Sequence, residues 1–142
     1  GNQHDTKRYA QQQYFKLDDI DNNLCLFAFV GNFTAESGIS MIADCFEEII
    51  SRHGEIQFII GIRNCNVEAS ELQKLNLLHT KYPKQFISFS CSFNEELTIV
   101  HAADYLVVPS LYEPSGRIQQ EAFVSGCPVI AFRTGGHCLR IQ

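Results

Sequence analysis

The chain has 142 residues, 45% of them hydrophobic and 19% charged, the size and composition of one globular domain around a single core. Its net charge of −5 comes with eleven basic residues scattered along the chain, with Lys7 and Arg8 the one adjacent pair, so no concentrated patch is offered to a nucleic-acid backbone or an anionic membrane. No apolar run approaches the roughly 20 residues of a membrane-spanning helix, and the polar stretch 1–16 does not read as a secretory leader. A cytoplasmic protein with neither nucleic acid nor membrane as partner is the expectation.

Residues 5–17 carry long polar side chains interspersed with Tyr9, Ala10, Gln13 and Phe15, compatible with a leading helix. Residues 24–30 form an unbroken apolar run ending at Gly31, as a strand buried on both faces would. Ile39, Ile42, Ala43, Phe46, Ile49 and Ile50 then recur at helical spacing. A second strand is predicted over 55–60. A second helix follows over 67–82 with Leu72, Leu75, Leu77 and Leu78 inward, closed by Pro83. Residues 86–89 read as a strand and 94–101 as a helix that Ser92 or Asn94 would cap. A strand over 105–108 stops at Pro109, a helix over 118–124 ends at Gly126, and 128–132 is the fifth strand. This alternation predicts an α/β fold, a Rossmann-like doubly wound parallel sheet of about five strands, in one domain spanning 1–142.

Six cysteines, at positions 25, 45, 65, 91, 127 and 138, form no CxxC and no tight cluster with histidine. Several fall inside apolar runs, so free thiols packed as small hydrophobes are expected, with no metal site; a disulfide or a zinc site is the alternative.

A sheet of this kind places ligands outside the carboxyl ends of its strands. The segments there are GNFTAESG (31–38), GIRNC (61–65), SCSFN (90–94), PSLYEPSG (109–116) and RTGG (133–136). Three are rich in glycine, proline and small hydroxyl residues, which lets backbone N–H groups approach an anion at a helix N-terminus. Tight turns alone would explain the glycines, since there is no GxGxxG and no P-loop.

The stretch AADYLVVPSLYEPSG, followed by QQEAFVSGCPVIAFRTGG, resembles the donor-binding signature of retaining glycosyltransferases with two facing Rossmann-like domains, the GT-B architecture. Starch and glycogen synthases look nearest. Their AD…PS..EPCG pattern is matched by Ala103, Asp104, Pro109, Ser110, Glu113, Pro114 and Gly116, with Ser115 in place of cysteine; Arg133, Thr134, Gly135 and Gly136 match their RTGG.

The resemblance implies that Glu113 stands beside the reacting sugar. Ser115, Gly116, Arg117 and Ile118 would hold sugar and diphosphate, and Thr134, Gly135 and Gly136 would allow the donor's close approach. Glu121, eight residues after Glu113, completes an E-x7-E spacing whose second carboxylate binds ribose hydroxyls in related transferases; a solvated helix face is the plainer reading. Phe93 matches an aromatic that covers the base, with core packing as the alternative.

In the segment with Gly31 the family carries an arginine and, five residues on, a lysine, where this chain has Asn32 and Ser37. Two lost charge-assisted phosphate contacts, each worth about 1.5–3 kcal/mol, would weaken donor binding by several orders of magnitude. Arg63, Arg117 and Arg133 are the candidate cations to replace them.

The implied activity is transfer of glucose from ADP- or UDP-glucose to an α-glucan, with no cofactor beyond the nucleotide sugar and no metal. The acceptor would bind through an N-terminal domain outside this chain, so the isolated chain is expected to be inactive. A plastid is also compatible with the parent protein. The alternative is a non-catalytic domain of the same fold, serving as a sugar-nucleotide sensor or an interaction scaffold.

Overall fold

Leu26, Phe27, Ala28, Phe29 and Val30 are all buried, although successive side chains of a strand point to opposite faces. Such a strand lies at the centre of a sheet covered on both sides. The computed structural model, which describes residues 3–18, 23–34, 39–66, 69–109 and 116–132, has this arrangement. Its elements are α1 (Gln3–Gln13), β1 (Cys25–Thr34), α2 (Ile39–Arg52), β2 (Ile56–Asn66), α3 (Ala69–Lys81), β3 (Phe86–Ser90), α4 (Phe93–Ala102), β4 (Tyr105–Pro109), α5 (Gly116–Ser125) and β5 (Val129–Phe132). The sheet order is β3-β2-β1-β4-β5 and every neighbouring pair is parallel.

Two apolar layers flank the sheet. On one face Phe27, Phe29, Phe58 and Ile60 pack with Phe46, Ile49 and Ile50 of α2 and Leu75 and Leu78 of α3. On the other, Leu26, Ala28, Val30, Ile59 and Leu106 pack with Ala10 of α1, Ile99 and Val100 of α4, and Ile118 and Ala122 of α5. Each fully buried phenylalanine or leucine contributes about 1.5–3 kcal/mol relative to an exposed one.

Several expectations need correction. The leading helix stops at Gln13 instead of reaching 17; Lys16 adopts a positive φ of 55°, and this turn carries Phe15 back into the core. Leu77 is 60% exposed rather than inward, because a helix advances 100° per residue and the stripe of Leu75 and Leu78 leaves it on the flank. Both central strands outrun their predicted ends, β1 to Thr34 and β2 to Asn66. Cys25, Cys91 and Cys127 are free thiols as expected, but Cys45 is disulfide-bonded.

Two glycines fix the geometry around α4 and α5. Gly126 closes α5 with φ +76°, a backbone conformation that side chains disfavour. Gly61 admits α4 onto β2: a Cβ there would stand 2.8 Å from Cys91 Sγ and 2.9 Å from Ile99 Cδ1. The start of α4 is set by a capping box, in which Ser92 Oγ accepts from the Glu95 N–H at 3.3 Å and Glu95 Oε1 accepts from the Ser92 N–H at 3.1 Å. No helix among the described residues is long and apolar enough to cross a membrane.

Candidate functional site

The strand order reverses direction between β1 and β4, the place where doubly wound sheets open a crevice beyond their carboxyl ends. The pairing shows why. β1 meets β4 at Phe27↔Tyr105 and Ala28↔Leu106, whereas with β2 it pairs on to Thr34↔Asn66. The carboxyl half of β1 thus travels with β2, and the β1/β4 boundary lies open toward that edge.

The N-termini of α4 and α5 both sit at this edge on the same face of the sheet, since each helix runs antiparallel to the strands it follows. Their first residues meet: the guanidinium carbon of Arg117 lies 4.2 Å from the centroid of the Phe93 ring. This is a cation–π contact. Phe93 is half-buried and packs against the apolar layer on this face, with Arg117 over its ring. Gly116 opens α5 and Ile118 is a buried anchor behind it.

Glu121 does not join that pair. Its Oε1 is 2.6 Å from His101 Nε2, in the last turn of α4. Eight residues, about 12 Å of helix, separate His101 from Phe93. Gly31 and Asn32 also differ from expectation, as strand residues of β1 rather than loop. Glu113, Ser115, Ser37, Thr134, Gly135 and Gly136 lie outside the described residues. Among the described residues no group of three His, Cys, Asp or Glu side chains is placed to hold a metal ion.

Two acidic residues assigned no role in the sequence prove informative. Asp104 lies at the amino end of β4, where Oδ2 accepts from the Leu26 N–H at 2.8 Å and pairs with Lys7 Nζ at 2.7 Å; Oδ1 accepts from Gln3 Nε2 at 3.1 Å. It ties α1 to both strands at the edge opposite the crevice. Glu96, in the first turns of α4, is fully buried and faces Arg63 of β2 with 3.2 Å between Oε1 and Nε. That contact is not aligned as a hydrogen bond, and both carboxylate oxygens lack a hydrogen-bond partner. Burial pushes the Glu96 carboxyl above the ordinary range, while Arg63 opposes the shift. The sequence does hold a signal for it: Glu96 falls at i in an i, i+3, i+4 stripe with Ile99 and Val100, where an apolar residue is the norm.

Comparison with known proteins agrees with this architecture. The profile of the family described as "Glycosyl transferases group 1" matches residues 25–141. The glycogen synthase of Pasteurella multocida is 31% identical over 129 residues, 89% of this chain and 25% of that protein. Glycogen synthase 1 of Rhizobium radiobacter is 28% identical over the same shares. Granule-bound starch synthase 1 of Pisum sativum is 29% identical over 82% of this chain and 19% of its own length. The chain therefore spans about a quarter or less of these relatives. Among solved structures, the catalytic domain of starch synthase IV from Arabidopsis thaliana, bound to ADP and acarbose, superposes with a TM-score of 0.69 at 16% identity, covering 91% of this chain and 26% of that one. Matched across 117 residues and folded as one half of the GT-B architecture, the chain belongs to the group 1 glycosyl transferases, as a counterpart of the C-terminal portion of glycogen and starch synthases.

Proposed function

We propose that the chain is the donor-binding half of a retaining hexosyltransferase that moves glucose from ADP- or UDP-glucose to an α-glucan. The observation that carries this reading is the open β1/β4 boundary, with the N-termini of α4 and α5, bearing Phe93 and Arg117, gathered beside it. The relatives' names and the ADP in the starch synthase structure give the substrate class. Transfer breaks the bond between the sugar's C1 and the nucleoside diphosphate. Positive charge then builds on the ring and negative charge on the departing group. In this reading Glu113 lies by the ring, and the α5 N-terminus with Ser115, Gly116 and Arg117 meets the departing charge. Thr134, Gly135 and Gly136 admit the donor, and Glu121 reaches the ribose once His101 releases it.

A thermal-shift titration with ADP-, UDP- and GDP-glucose tests the reading. A ligand at 100 times its dissociation constant adds about 2.7 kcal/mol of stability. The expected result is a shift with one of the first two, but no transfer of labelled glucose to glycogen by the chain alone, because the acceptor half of the cleft is not part of it. The neutral Asn32 and Ser37 favour a second reading, a scaffold of the same fold. No shift with any nucleotide sugar would select it.

A further inference from the structure

The register of β1 against β2 changes where the charge is missing. Gly31 pairs with Ile62, but Phe33 pairs with Cys65, so Arg63 and Asn64 together oppose the single residue Asn32. This is a β-bulge, and neighbouring strands run about 4.8 Å apart. A cation therefore stands on the adjacent strand, directly beside the position where the chain has a neutral residue.

Arg63 also points to the correct side. Ile62 packs into the layer of α2 and α3, while Ile59 and Gly61 face α4. Alternation then puts Arg63 on the α4 face, where its contact with Glu96 confirms it. Phe93 and Arg117 begin the helices on that same face.

Glu96 determines what the guanidinium can do. A carboxylate with no exposure and no hydrogen bond is costly, and an apolar residue among Ile99, Val100 and Cys91 would avoid the cost. What the acid does is hold one edge of a long, otherwise mobile side chain. It engages Nε, which is buried, while the Arg63 side chain retains 28% exposure. A guanidinium has four further N–H groups on its terminal nitrogens, in a planar fork that suits phosphate oxygens.

We propose that Arg63, held in place by the buried Glu96, is a second cation, beside Arg117, that meets the donor's diphosphate, supplying from β2 charge that Asn32 and Ser37 of the first segment do not carry. This rests on the nucleotide-sugar reading above. Arg63 is the binding residue; Glu96 is its positioning residue.

The test is titration calorimetry of the full 142-residue chain with ADP and UDP, each against its monophosphate, at low and moderate salt. Arg63→Gln is expected to weaken diphosphate binding about 10- to 100-fold and monophosphate binding less, so that the preference for the diphosphate collapses. The difference from the unaltered chain should shrink as salt rises. Arg63→Lys should retain part of the preference. Asn32→Arg added to Arg63→Gln should restore it, which relief of a folding defect would not do. Arg63→Gln leaves a buried acid without its partner, so Arg63→Gln with Glu96→Gln is measured beside it, with thermal melting as the control for folding. A folded double variant that keeps the diphosphate preference overturns the assignment to Arg63 while leaving the nucleotide-sugar reading intact. Failure of the unaltered chain to bind any of the nucleotides overturns both.

Discussion

Gly61→Ala probes how tightly α4 is seated on the sheet. The added Cβ would meet Cys91 Sγ at 2.8 Å and Ile99 Cδ1 at 2.9 Å, with Val30 Cγ1 at 3.3 Å. Ile99 is fully buried and Cys91 nearly so, so neither atom can swing into solvent and α4 itself must move. Overpacking of one methyl in a filled core costs about 1–3 kcal/mol, and the lower entropy of the unfolded alanine chain returns about 0.4–1 kcal/mol. The net destabilisation expected is about 1–2 kcal/mol, or roughly 2–8 °C in melting temperature for a domain of this size. Urea unfolding measures it, and a cycle with Ile99→Val localises it. Removing Cδ1 costs about 0.5–1.5 kcal/mol alone but relieves the contact with Ile99 while leaving that with Cys91, so the double variant should be less destabilised than the sum of the singles. An unchanged or raised stability of Gly61→Ala would refute the close approach of β2 and α4, and with it the placement of Glu96.

Asp104→Asn should cost about 2 kcal/mol in urea unfolding, because the largely buried Lys7 loses its counter-charge; nucleotide affinity should not change, since the residue lies at the amino end of the sheet. Thiol titration of the denatured, unreduced chain should find four of the six cysteines reactive, since the Cys45 bridge removes two. In the native chain Cys91 and Cys127 should resist alkylation at pH 8, because burial pushes their thiols up to about 12 and about 11. Folding holds both as thiols, so their contribution to stability is complete below the ordinary thiol pKa and is lost as pH rises through those values.

The alternation of apolar runs with amphipathic stretches made all five strands and the helices between them legible, because hydrophobic periodicity follows directly from which faces are covered. Strand ends were not legible. Gly31 and Asn32 look like turn residues, and the pairing of residues 31–34 with 62–66 of β2 keeps them extended. That pairing is tertiary information. The helix stripe likewise identified Leu75 and Leu78 while misplacing Leu77, since a run of leucines does not say which one faces the sheet. At the site, Phe93 and Arg117 were separate candidates whose mutual contact no spacing could show. Glu121 found a partner, His101, that belongs to another helix.

The two informative acids of the chain differ in one respect that decides how each is read. Asp104 has every contact a structural carboxylate needs: a backbone donor, a side-chain amide and an ammonium. Glu96 has less exposure and no hydrogen bond at all, only an unaligned cation at 3.2 Å. Folding alone selects against such a group, so its presence calls for something beyond stability. The carboxyl edge is where that something is available, because the cation it holds stands beside Asn32. Positions 32 and 63 are 31 residues apart in the chain and neighbours across one bulge of the sheet. A family pattern read loop by loop registers the first as a lost charge and the second as one of three arginines that could replace it, with nothing to choose among them. In the parallel sheet they are neighbours, and on the proposal above they are alternative places for one charge at one edge. The neutral first segment therefore counts against nucleotide binding only as long as the strand beside it is ignored.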